Sequence, residues 1–258
     1  METEWRRLRA DELRERARAG AMVILPVASL EQHGPHLPVE VDSVLGETVA
    51  RRTAAAVAAR GDQALVLPVI WTGLSEHHMS FGGTVTLDYP AFAALIEGVV
   101  RSVLRHGFRR IVLLNAHGGN ENALRTITDE LTPKLGVPIV QLTYWYAAAA
   151  AIAGILERQT ALAHACEAET SMMLAARPEL VAADRIPLAR ANRSPEPPPG
   201  VYRWRTIAAR SASGVIGEPE AATAEKGERL FAAIAEEVAA KLCAPDFWNL
   251  PWQAEPRA

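Results

Sequence analysis

The sequence predicts an α/β fold, a three-layer sandwich with a mostly parallel central sheet and helices on both faces. Three observations point there. Short apolar runs of strand length alternate with longer stretches of helical periodicity between residues 22 and 145. The strand runs are apolar at nearly every position, as strands covered on both faces are. Polar stretches rich in glycine, histidine and acids stand directly after the runs, where ligands gather in open parallel sheets.

Each element follows in order. Residues 1–20, "METEWRRLRADELRERARAG", are charged and helical in character, with no apolar segment of the kind a secretory signal needs. "MVILPVA" (22–28) reads as a buried strand, and residues 42–60 as a helix with Asp42 or Ser43 near its start. "ALVLPVI" (64–70) is a second strand, followed by a helix over 88–107 that Gly107 closes. "RRIVLLNA" (109–116) is a third strand, residues 120–136 a helix, and "VPIVQLTYW" (137–145) a fourth strand. "YAAAAAIAGIL" (146–156) is too short to span a bilayer and reads as a buried or interface helix. Residues 164–180 form a helix limited by Pro178, and 223–242 an amphipathic one. The proline-rich stretch at about 193–204 reads as an ordered loop near a site or interface, with a disordered linker as the alternative. No repeat or boundary divides residues 1–258, which read as one domain.

Composition narrows the function. Hydrophobic residues make up 49% and charged residues 22%, with a net charge of -3, and the isoelectric point is about 6.2. This is a globular balance with no footprint for nucleic acid or membrane. The cysteines, Cys166 and Cys243, have no metal-finger spacing and form no disulfide framework, so a cytoplasmic location is expected. There is no GxSxG motif, and the acids near Cys166 would raise a thiol pKa.

Four clusters carry chemistry. In "SLEQHGPHLPVEVD" (29–42), Glu31 and His33 are two apart, so in extended backbone both face one side, and Asp42 arrives just before a helix. A carboxylate bridges two ions readily, and Glu, His and Asp together suit zinc, manganese or iron. His36 is a candidate for supporting or capping duty. The rival reading is a loop of satisfied polar groups. "NAHGGN" (115–120) places His117 at a strand end, with Gly118 and Gly119 allowing close backbone approach; a phosphate-binding turn competes but lacks the P-loop lysine. In "HACEAETS", a regular helix would put His164, Glu167 and Ser171 on one face and Glu169 elsewhere; the plain alternative is a solvated helix start. "GLSEHHMSFGGTVTLD" (73–88) reads as a substrate-facing loop, with His78 as its contact. Trp71, Phe81, Tyr144, Trp145, Tyr202 and Trp204 are candidates for a pocket wall.

These motifs, with the late "SGVIGEPEAATAEKGERL", fall in the order and spacing of the creatininase (creatinine amidohydrolase) family, which the chain resembles over roughly residues 20–240. The resemblance implies a binuclear site for zinc, manganese or iron and assembly as a homohexamer, a trimer of dimers. It places Glu31 and His117 on one ion and His33 on the other, with Asp42 bridging. It gives His164 a part in proton transfer or substrate binding. Where creatininases proper carry a glutamate ligand in a histidine–tyrosine–glutamate–asparagine motif, this chain has Gly119. Glu169 is the replacement the sequence offers, and Glu167 the further acid for general acid duty beside His164. The expected activity is hydrolysis of a C–N bond in a small cyclic amide or formamide by a metal-bridged hydroxide, with Trp145, His78, Gly118 and Gly119 against the substrate. The alternatives are a lactone, C–C or peptide hydrolase on the same site, or a metal-binding protein without turnover.

Overall fold

The computed structural model describes residues 1–190, 198 and 200–249. Four parallel strands form its sheet: β1 (Met22–Val27), β2 (Ala64–Val66), β3 (Arg110–Asn115) and β4 (Ile139–Thr143), in the order β2-β1-β3-β4. Within β1, Met22 and Ile24 enter one core, while Val23, Leu25 and Val27 enter the other. The strand is therefore buried at every residue, as an apolar run without alternation requires.

Helices α2 (Val41–Ala59), α7 (Glu167–Ala176) and α8 (Ala224–Leu242) cover the first face. Helices α3 (Tyr89–Arg105) and α4 (Glu121–Leu135) cover the second, and α1 (Ala10–Arg18) packs Leu13 and Ala17 against it. This is the three-layer α/β sandwich that the sequence predicts.

Several elements are shorter than their sequence signals. The run at 64–70 is a regular strand only to Val66, because Pro68 has no N–H to continue the ladder; Ile70 then rejoins β1 by donating to the Pro26 carbonyl at 3.0 Å. The first 20 residues hold a single turn at Trp5–Arg7 before α1 rather than one helix. The alanine-rich stretch breaks at Ala148 into α5 (Tyr144–Ala147) and α6 (Ala149–Ala153). Of the proline-rich loop expected at 193–204, only residues 198 and 200–204 are among those described.

The strand order fixes where a site can form. The chain moves from β1 to β2 on one side and continues from β3 to β4 on the other, so it diverges between β1 and β3. The crevice outside the carboxyl ends of two such strands is the usual ligand site of an open parallel sheet. "SLEQHGPH" leaves β1 there and "HGGN" leaves β3 there.

Candidate metal centre

Glu31, His33, Asp42, His117, His164 and Glu169 converge above the β1–β3 crevice. Glu31 and His33 follow β1, and Asp42 lies in the first turn of α2. His117 follows β3, and Glu169 lies in the first turn of α7. Glu31, His33, Asp42 and His117 are each at most 3% exposed, and Glu169 is 5% exposed.

Two groupings share Asp42. Its Oδ2 lies 3.1 Å from His117 Nδ1, which is 3.0 Å from Glu31 Oε2. Its Oδ1 lies 3.2 Å from His33 Nε2, which is 3.8 Å from Glu169 Oε2. Glu31, Asp42 and His117 offer ligand atoms close enough for one ion, as do His33, His164 and Glu169.

The partners of the imidazoles set which nitrogen is free. His33 Nδ1 is 3.1 Å from the Glu31 carbonyl oxygen, and His117 Nε2 is 3.2 Å from the Leu74 carbonyl oxygen. His164 Nε2 is 2.8 Å from the Gln32 carbonyl oxygen. A carbonyl only accepts, so at His33 and His117 these nitrogens carry a proton and the opposite nitrogen is the one directed at the centre. His164 Nε2 also lies 2.9 Å from the Gln32 side-chain amide nitrogen, an N–H donor, so its two partners call for opposite tautomers. His78 is the reverse case. The Gln32 amide donates to its Nδ1 at 3.0 Å, so its Nε2–H faces Glu31 Oε1 at 3.2 Å. Although Glu31, His78 and His164 also cluster, His78 is a hydrogen-bond donor there and not a ligand.

The donor set fits divalent cations. His33 Nε2 and Asp42 Oδ2, one in each grouping, are buried side-chain atoms that lack an aligned hydrogen bond; they lie 3.2 Å from Asp42 Oδ1 and 3.1 Å from His117 Nδ1. Buried orphans of this kind cost stability unless something satisfies them. Three buried carboxylates, Glu31, Asp42 and Glu169, face the same space, which two divalent charges would neutralise.

Protonation follows the same electrostatics. Burial opposes an imidazolium at His33, but Asp42, with Glu169 and Glu31 behind it, raises its pKa to about 9. Burial likewise opposes charge on His117, and Glu31 and Asp42 raise it well above the ordinary range. Burial raises Glu169 to about 8, against His33 and assisted by Asp42. Cations entering these groupings would take the place of protons.

The structure corrects several expectations. His164 is not on a helix: α7 starts at Glu167, and Ala165 adopts a left-handed φ of 52°. That turn separates His164 from the helix face of Glu167 and Ser171 and lets Glu169 point inward, its Oε2 accepting from the Ala165 N–H at 2.5 Å. Glu167 is not placed for proton transfer. It is fully buried, accepting from Lys226 Nζ at 2.7 Å and from the backbone N–H groups of Glu157 and Arg158 at 3.0 and 2.9 Å. His78, expected against substrate, does stand at the cavity wall, but it is only 1% exposed, with both nitrogens committed to Gln32 and Glu31. Tyr144 is a core residue at 1% exposure, and Trp71 does not line the cavity. His36 donates or accepts at Thr170 Oγ1, 2.8 Å away, behind the ligands.

The centre opens into a cavity of about 880 Å³. Gly118, Gly119, Trp145 and His164 line it, and Tyr146, Tyr202 and Trp204 stand at its walls. Gln32, Ser29 and Ser75, which support the ligands from behind, were not singled out by sequence reasoning. Serine and glutamine beside a ligand motif have no spacing signature, since their contacts are made across 46 residues of chain.

Known proteins resemble this chain along most of its length. The family model described as creatininase, creatinine amidohydrolase, matches residues 6–242. A mycofactocin precursor peptide peptidase of Mycobacterium ulcerans (strain Agy99) is 33% identical over 224 residues, covering 85% of this chain and 84% of that protein. A creatinine amidohydrolase of Pseudomonas putida is 32% identical over 238 residues, covering 85% and 88%. A solved creatininase variant described as of Zn–Zn type superposes with a TM-score of 0.78 at 27% identity, covering 93% of this chain and 96% of that one. On the motifs, the fold and the breadth of these matches, the chain belongs to the creatininase family.

Proposed function

We propose that this chain is a hydrolase of amide C–N bonds that works with two divalent cations. Glu31, His117 and Asp42 would hold one, and His33, Asp42 and Glu169 the other, with His164 beside the second. The observation that carries this reading is the position of Asp42, whose two oxygens lie 3.2 and 3.1 Å from imidazole nitrogens of the separate groupings. The Zn–Zn description of one solved creatininase supports two ions. When bound, such cations supply Lewis acidity and an activated water at neutral pH.

The chain's own residues do the rest. Carbonyl anchors behind His33, His117 and His164 hold the rings before any substrate arrives. His164 reaches the cavity surface with Nδ1 toward Glu31. It would relay a proton to a leaving nitrogen as a base that first accepts it, since burial and the charge on His33 hold its pKa well below the ordinary range. Gly118 and Gly119 keep the wall beside His117 free of side chains. The test is chelator treatment: loss of amide hydrolysis and its return with zinc or manganese supports the reading, and full activity in the metal-free protein sinks it.

A peptide is the second substrate reading, beside a small cyclic amide or formamide. A cavity of about 880 Å³ is at the large end for ligand sites, and Tyr202 and Trp204 are 82% and 54% exposed along it. The relative named as a peptide peptidase points the same way. Parallel assays of lactams, formamides and short peptides, scored by amine release, separate the two.

A further inference from the structure

We propose that Ser75 is a positioning residue for the cation site of Glu31, His117 and Asp42, and that Ser29 anchors it. The inference rests on the metal reading above. Ser75 Oγ is 2.9 Å from Glu31 Oε2 and 3.0 Å from His117 Nε2, and it contacts Ser29 Oγ. Both serines are completely buried. One hydroxyl thus touches two ligands of the same ion from the side away from the cavity.

The proton account closes. A hydroxyl has one hydrogen and two lone pairs. Ser75 gives its hydrogen to Glu31 Oε2, the charged acceptor within reach. Its lone pairs take the Ser29 hydroxyl hydrogen and a share of the His117 Nε2–H, the other share going to the Leu74 carbonyl. Neither serine hydroxyl is left without a partner.

The segment that carries Ser75 is itself held. The Ser75 N–H donates to Thr86 Oγ1 at 2.8 Å, and the Leu74 N–H donates to Asn120 Oδ1 at 2.9 Å. A Cβ at position 119 would fall 2.2 Å from the Leu74 carbonyl oxygen and 2.4 Å from His117 Nε2. Gly119 is therefore what lets this segment close on His117. Where the family resemblance marks a ligand, this chain uses the space for the support of another ligand.

Ser75, His117 and Asp42 also have the connectivity of a serine hydrolase relay. That role is closed to Ser75: it is completely buried and absent from the cavity wall, so no carbonyl carbon reaches its oxygen. Its effect passes through Glu31 and His117.

The experiment is zinc binding by competition against a chromophoric chelator, on stripped full-length wild type, Ser75→Ala and Ser29→Ala. The expected result is that Ser75→Ala weakens one of two binding steps by about 10–100-fold, as losing a support behind a ligand does, and moves the other by less than about threefold. Ser29→Ala weakens the same step by a smaller factor. A merely structural serine would lower the melting temperature and leave both steps unmoved, which overturns the proposal. If Ser75→Ala does not fold, Ser29→Ala decides alone: wild-type affinity at both steps overturns it. Two wild-type steps with an unaffected Ser75→Ala sink this proposal and spare the metal reading, whereas no zinc uptake by wild type sinks both.

Discussion

The Cβ that any residue other than glycine would carry at position 119 falls 2.2 Å from the Leu74 carbonyl oxygen. The position that the family resemblance marks for a glutamate ligand is filled here by neighbouring backbone. Gly119→Glu should therefore not rebuild a ligand. We expect Gly119→Ala to cost about 1–3 kcal/mol, as overpacking does, read as a lower melting temperature. Weaker zinc binding should accompany it, since Leu74 also anchors His117. A Gly119→Glu protein as stable as wild type and richer in metal would refute this packing.

Asp42 is the one side chain common to both groupings. Asp42→Ala should lose both ions and all metal-dependent activity, while Glu31→Ala should release one ion and leave the other bound. Metal analysis after gel filtration reads both results, and retention of one tight ion in Asp42→Ala would break the bridging model.

Glu167 gives a prediction about stability and pH. Burial raises its pKa, but Lys226 and the N–H groups of Arg158 and Glu157 outweigh burial and lower it below the ordinary value. A depressed carboxyl stabilises the fold above its unfolded pKa of about 4.3 and loses that contribution as pH falls through the folded value. Glu167→Gln should cost about 3 kcal/mol at neutral pH, as breaking a buried ion pair does. The gap from wild type should narrow in acid. Metal content should stay unchanged, because the carboxylate faces α8 and not the centre; loss of an ion in Glu167→Gln would return it to the site.

Trp145, Tyr202 and Trp204 test the second substrate reading. If a peptide fills the cavity, Trp204→Ala should raise KM for the peptide several-fold with kcat little changed, because it sits at the wall and not among the ligands. An equal fall in kcat for every substrate would point instead to damage at the centre.

The sequence and the structure agree most closely where chemistry and topology coincide. That Glu31, His33 and His117 come together was legible because they stand just after largely apolar strand runs, at the ends where parallel sheets gather ligands. The same logic located Asp42 at a helix start. Helical spacing alone puts Glu167 on the face of His164, and the left-handed backbone at Ala165 breaks that register. Ser29, Gln32 and Ser75 were illegible because their contacts depend on the register of distant loops. The shortened second strand followed from Pro68, which apolarity alone does not weigh.

Metal per chain tests the central claim most directly. Elemental analysis would be run on purified wild type, Glu169→Ala and Glu169→Gln after reconstitution with zinc or manganese; the glutamine retains an acceptor for the Ala165 N–H. Close to two ions in wild type and close to one in both variants is the expected result. Two ions in all three proteins would remove Glu169 from the ligand set, and at most one in wild type would contradict the binuclear centre.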